Sequence, residues 1–325
     1  MNLHEDQKLF EQAIRATAEY KGLREIYIEK DYWVTFALYI IFNDAIGKQT
    51  VFKGGTALSK CYKLIDRFSE DIDLVVLRTK EESANQLNKK IKAISKVVDG
   101  VMPEVPIENV TQKTGMNRKT AHEYKKTFRG DYGQIRDVII IEATWLGYFE
   151  PYTTEYVQSY IYEMMLNKHQ GDLIEKHGLQ SFEVQVLDVK RTLCEKIMSL
   201  VRFSHTQEPI ESLKKKVRHT YDLHQLLSNQ QINDFFHSKE FAIMLLKVGR
   251  DDVESYRNNN EWLVIHPKEA LIFAEPDSTW ETMSSTYNGV FKDLVFGEFP
   301  TQEQILKTIK EIAQRLDSVD WDVSL

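Results

Sequence analysis

Hydrophobic positions recur along the first 150 residues at two different spacings. Residues 4–20 and 26–46 carry apolar side chains every three or four positions, which predicts two helices, and the charged segment 81–98 predicts a third. The charged residues 29–31 near the start of the second helix are expected either in a solvated first turn or facing a cleft. Short apolar runs predict strands at 51–53, 71–77, 105–110, 124–128 and 138–143.

After Pro151 the strand pattern fades and helical spacing dominates. One short strand is expected at 182–186. The predicted helices cover 154–168, 188–204, 210–228, 239–248, 278–296 and 301–317. The fold class is therefore predicted as α+β with two lobes, a helix-flanked mixed sheet over 1–150 and a mainly helical C-terminal lobe over 151–325.

Composition narrows the class of protein. The 325 residues are 42% hydrophobic and 28% charged, which is typical of a globular chain and excludes wholesale disorder. The two cysteines, Cys61 and Cys194, exclude a disulfide scaffold and argue against a thiolate zinc site. The N-terminus lacks a signal-peptide pattern, and the longest apolar stretch, residues 33–42, is too short to span a bilayer. We therefore expect a cytoplasmic protein without a membrane partner.

The most informative segment combines a Gly-Gly-Thr turn with an Asp-x-Asp strand. The turn, residues 54–56, follows a strand-like run and precedes a predicted helix at 57–64. Because alternate strand residues share a face, Asp71 and Asp73 project together, and neighbouring carboxylates repel unless a cation lies between them. Hard oxygen ligands of this kind suit Mg²⁺ or Mn²⁺, and paired metal ions serve in-line displacement at phosphorus.

A third carboxylate is expected on a neighbouring strand, and Glu142, at the end of an apolar run, is the candidate metal ligand beside Asp71 and Asp73. Glycines let backbone approach phosphates closely, and N–H groups at a helix N-terminus favour anions. The turn residues predicted to bind a nucleotide are Lys53, Gly54, Gly55, Thr56 and Ser59. In the alternative interpretation, the two aspartates are exposed edge residues paired with Arg67 or Lys60.

These motifs resemble those of the nucleotidyltransferase superfamily that includes DNA polymerase β and, more narrowly, those of the AbiEii/AbiGii toxin family. Four segments carry the similarity: FKGGTALS at 52–59, RFSEDIDL at 67–74, RTLCEKI at 191–197 and RHTYDL at 218–223. The similarity covers most of the chain and is more diffuse in the second half. One departure is a slightly longer spacing, with 14 residues between Thr56 and Asp71.

The resemblance implies a metal-dependent toxin of a toxin–antitoxin or phage-defence system that transfers a nucleotide from an NTP and releases pyrophosphate. It implies an RNA acceptor, notably a tRNA 3′ end, and an antitoxin encoded nearby. Asp71 and Asp73 map to catalytic metal ligands, Lys196 to a catalytic lysine that also contacts the nucleotide, and Asp222 to a second-lobe catalytic aspartate. On the residues alone, Lys196 is more often a lysine with a packed stem and a solvated head, and Asp222 either orients Lys196 or acts as a base.

The net charge of −7 disfavours a nucleic-acid partner, but two local clusters of basic residues change that expectation. Residues 111–130 contain six basic side chains against one acid, Glu123, which is a local charge of +5, and 214–219 form a second basic run. Such clusters are candidates for phosphate contacts, although a solvated surface is the alternative for each. The residues predicted to bind RNA are Lys113, Arg118, Lys119, Lys125, Lys126, Arg129, Lys214, Lys215 and Arg218.

Two other functions stay open on the sequence. One is a nucleotidyltransferase that acts on a small molecule or a protein hydroxyl, and the other is a non-catalytic regulator that binds a nucleotide or RNA. The sequence also leaves open which NTP is used, how the antitoxin acts and the oligomeric state.

Overall fold

The computed structural model describes residues 1–69, 71–113, 115–130, 132 and 135–325, so Glu70 of the 67–74 motif lies outside the described residues. The chain divides into two compact units. The first comprises Met1–Tyr62 and Phe68–Leu187, and the second comprises Lys63–Arg67 and Asp188–Leu325. The division falls at residue 187 rather than 150 because two further strands after residue 150 pair with the sheet of the first unit.

The first unit is built on a mixed sheet that has seven strands within the described residues. In chain order they are β1 (Thr50–Lys53), β2 (Asp71–Val76), β3 (Glu104–Val105), β4 (Asn117–His122), β5 (Ile139–Thr144), β6 (Tyr152–Val157) and β7 (Phe182–Leu187). Their spatial order is β3-β4-β5-β2-β1-β7-β6. The β2–β5 and β1–β7 pairs are parallel, and the other neighbours are antiparallel.

Helices of the first unit cover one face of this sheet. They are α1 (Gln7–Lys21), α2 (Glu25–Asn43), α3 (Gly54–Lys60), α4 (Ala84–Asp99), α5 (Tyr160–Asn167) and α6 (Gly171–Lys176), with short 3₁₀ turns at Leu3–Glu5 and Ala45–Gln49. Leu38 of α2 and Ile91 of α4 join Phe52, Ile72 and Ile141 of the sheet in one buried cluster. Because side chains alternate along a strand, the intervening residues lie on the opposite face.

The second unit is helical in its described residues, apart from an isolated bridge between Arg67 and Val295. Its α-helices are α7 (Val189–Ser204), α8 (Pro209–Lys214), α9 (Val217–Ser228), α10 (Gln230–His237), α11 (Lys239–Ser255), α12 (Leu271–Ala274), α13 (Pro276–Thr286) and α14 (Gln302–Leu316). Short 3₁₀ or π turns occur at Glu261–Val264, Pro267–Glu269, Tyr287–Phe291 and Lys292–Leu294. Reciprocal hydrogen bonds between Thr301 and Gln304 form a capping box that starts α14.

The largest differences from the predicted elements concern strands. The strand predicted at 124–128 is absent, and the pairing strand is β4; the backbone N–H groups of Thr127 and Phe128 donate to the Glu29 carboxylate instead. The helix predicted at 154–168 is β6 followed by α5, and the strand predicted at 105–110 is reduced to β3. The helices predicted at 210–228 and 278–296 are each interrupted.

Within the part of the chain that the structure describes, no helix is both long and apolar enough to cross a lipid bilayer.

Candidate active site

The two aspartates of the Asp-x-Asp motif lie in the interior of the sheet. They belong to β2, which has β5 on one side and β1 on the other, so β2 is not an edge strand. Ile72 and Leu74 pack into the buried cluster beneath the helices. Asp71 and Asp73 therefore project from the opposite face, as the alternation predicts.

The ion pairs that offered another role for these aspartates are not formed. Lys60 is buried and donates to Asp31, while Arg67 is buried and binds Asp222. No salt bridge reaches Asp71 or Asp73 from any described residue. The sequence-based alternative of an exposed edge pair is thus inconsistent with the structure.

Strand register places four charged residues side by side across β4, β5, β2 and β1. Each pairs with the next in the order Lys119, Glu142, Asp73, Lys53. Lys119 Nζ donates to Glu142 Oε2 at 3.0 Å. Asp71 lies two residues before Asp73 on the same face. Three carboxylates therefore share one patch of sheet with two lysines.

The charges in this patch are not balanced at Asp73. Burial, and then the charges of Asp71 and Glu142, raise the pKa of Asp73 to about 7, and Lys53 and Lys119 oppose the rise only in part. The Oδ1 atom of Asp71 is buried and has no hydrogen-bond partner within the described residues. A buried oxygen without a donor is destabilising, and a divalent cation would satisfy it while relieving the repulsion at Asp73. The two aspartates therefore fit a divalent metal ion.

Glu142, the predicted third metal ligand, lies opposite Asp73 but is engaged on its other side. Its Oε1 accepts from Asn117 Nδ2 at 3.1 Å, and its Oε2 accepts from Lys119. Across the described ranges, no three His, Cys, Asp or Glu side chains are arranged to hold a metal ion. The structure thus brings the two aspartates together without completing a three-carboxylate site.

Gly54 links the Gly-Gly-Thr turn to the aspartates. Its φ of +79° is in the left-handed region, and a Cβ atom built there would overlap the Oδ2 atom of Asp73. Glycine is required at this position for both reasons, since any other residue would strain the backbone and displace the carboxylate.

The rest of the turn begins α3. Thr56 is buried, and its hydroxyl donates to the Asp71 carbonyl oxygen at 2.5 Å and lies 3.0 Å from the Ser69 hydroxyl. Thr56 therefore ties the turn to the start of β2. Gly55 lies in the first turn of α3 and Ser59 one turn further on, and both are half-buried.

A second group of predicted residues forms a buried ion cluster inside the second unit. Asp222 Oδ1 accepts from Arg67 Nε at 2.6 Å, and Asp222 Oδ2 accepts from Arg67 Nη2 at 2.8 Å and from Lys196 Nζ at 2.6 Å. Burial disfavours the charged carboxylate, but the two cations outweigh it and hold the pKa of Asp222 below its usual range. Burial lowers the pKa of Lys196, and Asp222 opposes that change.

This arrangement bears on the two roles that the sequence left open for Asp222. Both of its oxygens accept hydrogen bonds from cations, and the side chain is fully buried, a geometry that favours orienting Lys196 over taking up a proton. Arg67 was not predicted as its partner. The two residues are 155 positions apart, and the only sequence signal for Arg67 is its place in the RFSEDIDL segment.

The predicted RNA-binding residues of the first unit do not form one group. Arg118 and Lys119 are consecutive on β4 and therefore point to opposite faces: Arg118 donates to Ser95 of α4 at 2.7 Å, and Lys119 binds Glu142. The other four lie in loops, where Lys113 pairs with Glu104, Lys126 pairs with Asp137 at 2.6 Å, and Lys125 and Arg129 are exposed. Lys119 therefore lies on the sheet face that carries Asp71, Asp73 and Glu142, whereas Arg118 lies on the other face.

The basic residues of the second unit lie at the end of α8 and the start of α9. Lys214 pairs with Glu211 at 2.8 Å, Lys215 is exposed, and Arg218 is half-buried.

Two of three comparisons with known proteins give a match, one to a family and one to a solved structure. A family model described as "Nucleotidyl transferase AbiEii toxin, Type IV TA system" matches residues 37–314. Among solved structures, the chain is similar to MenT4, a nucleotidyltransferase toxin from Mycobacterium tuberculosis H37Rv, with a TM-score of 0.59 and 15% identity, covering 94% of this chain and 90% of that one. At this identity the likeness concerns the fold, and it confirms the predicted α+β class. No curated protein gives a significant match.

Proposed function

Because the chain belongs to the AbiEii family of nucleotidyltransferase toxins of type IV toxin–antitoxin systems, we propose that its active site is the Asp71 and Asp73 face of β2. The proposed reaction transfers a nucleotide from an NTP to RNA, with a tRNA 3′ end as the acceptor. The observation that carries the proposal is the pair of aspartates with unrelieved charge next to a glycine turn that only glycine can form.

Asp71 and Asp73 are the residues that would hold Mg²⁺ or Mn²⁺. When bound, the metal supplies charge neutralisation and alignment at the α-phosphate. Substrate phosphates or water would supply further ligands, since Glu142 accepts hydrogen bonds from Lys119 and Asn117.

The turn that precedes α3 is proposed to hold the β- and γ-phosphates. Backbone N–H groups at Gly54 and Gly55 and the ammonium of Lys53 are the donors, with the Ser59 hydroxyl one turn further on. Thr56 contributes by fixing the turn to β2, since its hydroxyl is already bonded to the Asp71 carbonyl.

Lys196 is proposed as the catalytic lysine. Its ammonium has three protons, and the hydrogen bond to Asp222 uses one of them. The family resemblance gives Lys196 the role of a nucleotide contact, in which a point charge stabilises the developing negative charge. Asp222 then acts as a positioning residue, held in turn by Arg67.

The biological setting follows from the family. An antitoxin encoded nearby is the proposed counterpart, and defence against phage in the cytoplasm is the proposed context.

The test is a transfer assay with each labelled NTP, Mg²⁺ and total tRNA. We expect label on tRNA, with mass spectrometry locating the added nucleotide at the 3′ end, and we expect Asp71→Ala and Asp73→Ala to abolish it. Asp172→Asn, at an exposed carboxylate on α6, is the matched control and retains activity. Absence of label on any RNA with all four NTPs would contradict the proposal. Label on a small molecule or a protein would mean that this molecule, and not RNA, is the acceptor. Transfer that survives both alanine variants would place the site elsewhere.

A further inference from the structure

A cavity of about 740 Å³ opens in the first unit beside the start of β5. Among the described residues that line it, Lys126, Arg129 and Arg136 are basic and Asp137 is acidic, so this part of the lining carries an excess of positive charge. Tyr132 contributes an aromatic wall. A volume of this size accommodates a nucleotide-sized ligand.

The cavity lies on the same sheet face as the two aspartates. The register pairs Ile140 with Asp71 and Glu142 with Asp73, so these β5 side chains share the aspartates' face. Val138 packs with Ile140 in one apolar cluster and lines the cavity. Val138 is the residue immediately before β5, two positions from Ile140, which pairs with Asp71. The apolar part of the cavity lining therefore belongs to the cluster on the aspartates' side of the sheet.

Two buried charges of α2 fix the backbone on both sides of this cavity. The Glu29 carboxylate accepts from the backbone N–H groups of Thr127 at 2.6 Å and Phe128 at 2.9 Å, and Lys30 Nζ donates to the Arg136 carbonyl oxygen. Glu29 and Lys30 have no exposed surface. Burying such groups is costly unless they are bonded, so their presence indicates that these loop segments are held in place. The charged start of α2 is thus neither solvated nor facing a cleft.

The position of the cavity separates it from the donor nucleotide. The Gly-Gly-Thr turn follows β1, on one side of β2, whereas the cavity adjoins β5, on the other side. An NTP whose β- and γ-phosphates lie at the turn leaves the β5 side for the acceptor.

From this we infer that the cavity is the subsite for the terminal nucleotides of the acceptor RNA, an inference that rests on the proposed function. Arg129, which is exposed and has no hydrogen-bond or ion-pair partner among the described residues, binds an RNA phosphate together with Arg136. Tyr132 and the apolar Val138 contact a base. Cations that bind backbone and an aromatic ring that stacks are the usual means of holding single-stranded RNA.

The test measures binding of a fluorescent tRNA by anisotropy without NTP, so that no turnover is needed. We expect Arg129→Ala to weaken binding several-fold and to reduce the slope of log Kd against log salt by about one, as loss of one phosphate contact does. We expect Tyr132→Ala to weaken it at least about fivefold and Tyr132→Phe to restore it, since stacking needs only the ring. Lys176→Ala removes an exposed lysine at the end of α6 and is the charge-matched control, with unchanged affinity and slope.

A parallel titration with a fluorescent NTP analogue separates donor from acceptor. The inference predicts that NTP affinity is unchanged in Arg129→Ala and Tyr132→Ala. Unchanged tRNA affinity and salt slope in both variants, or a loss of NTP affinity in place of tRNA affinity, would overturn it. If tRNA binding depends on Arg129 but no NTP is ever transferred, the subsite stands as an RNA site and only the proposed function fails.

Discussion

Asp222 is buried and Asp73 is half-buried, and burial disfavours the charged form of both, yet their pKa values are shifted in opposite directions. Asp73 has Asp71 and Glu142 as neighbours, and its pKa rises to about 7. Asp222 is bonded to Arg67 and Lys196, and its pKa lies below the usual range. We therefore propose that Asp73, whose negative charge is not compensated, belongs to a cation site, and that Asp222, whose charge is fully paired, positions Lys196.

The largest effect is expected from removing charge at the uncompensated pair. Asp73→Asn should reduce nucleotide transfer at least about 1,000-fold, because stabilisation of transition-state charge by a metal ion is worth several kcal/mol. The same change should leave the free energy of unfolding unchanged or raise it, since it removes carboxylate repulsion. Transfer rates and urea denaturation without metal check both parts. A large loss of stability would mean that Asp73 has a structural role.

Asp222→Asn should give the opposite pattern in stability. It leaves Arg67 and Lys196 buried without an anion, and breaking a buried pair typically costs about 3–5 kcal/mol. Urea denaturation followed on the second unit measures the loss, with Asp73→Asn as the matched carboxylate-to-amide control. Equal free energies of unfolding in the two variants would contradict the distinction between an unpaired Asp73 and a paired Asp222.

Gly54→Ala should perturb the aspartate site with a smaller effect. The added methyl group would displace Asp73, and a misplacement of about 1 Å at a reacting centre lowers activity by up to about 100-fold. Gly22→Ala is the control, because Gly22 also has positive φ, at +65°, but no atom lies within 4 Å of the added Cβ. Both variants carry backbone strain, and only Gly54→Ala should lose transfer activity. Similar activity in the two would remove the argument that Gly54 shapes the site.

The smallest effect is a pH dependence of metal-free stability. The pKa of folded Asp73 is about 7, above the usual 3.8, so the folded state holds more protons between these values. This contribution to stability is present below about pH 4 and is lost as the pH rises to about 7. The Tm of wild type relative to Asp73→Asn should therefore fall between about pH 4 and pH 7 and then level off. A Tm difference that does not change with pH would show that the pKa of Asp73 is not shifted in the folded state.

The sequence predicts the parts of the fold that depend on local pattern. Strands β1, β2 and β5 are short apolar runs, and β2 places Asp71 and Asp73 on one face by alternation alone. β4 escaped prediction because its residues are mainly polar and its pairing depends on distant β5. The run at 124–128 alternates like a strand, but Glu29, about 100 residues earlier, takes two of its N–H groups.

For the candidate site, too, the sequence predicts local features and misses contacts between distant residues. The turn and the aspartates are recognisable because their residues are close in sequence, but the partners of the charges are not. Glu142 is a plausible metal ligand by position, yet strand pairing gives it Lys119 and Asn117. Arg67 reaches Asp222 across 155 positions, which no local pattern encodes.

The most direct measurement of the central claim is equilibrium Mn²⁺ binding, followed by electron paramagnetic resonance in the presence of NTP. Wild type, Asp73→Asn and Asp222→Asn are compared at pH 8. We expect that wild type and any folded Asp222→Asn protein bind Mn²⁺, and that Asp73→Asn does not. Mn²⁺ binding that persists in Asp73→Asn, or that is absent from wild type, would contradict it.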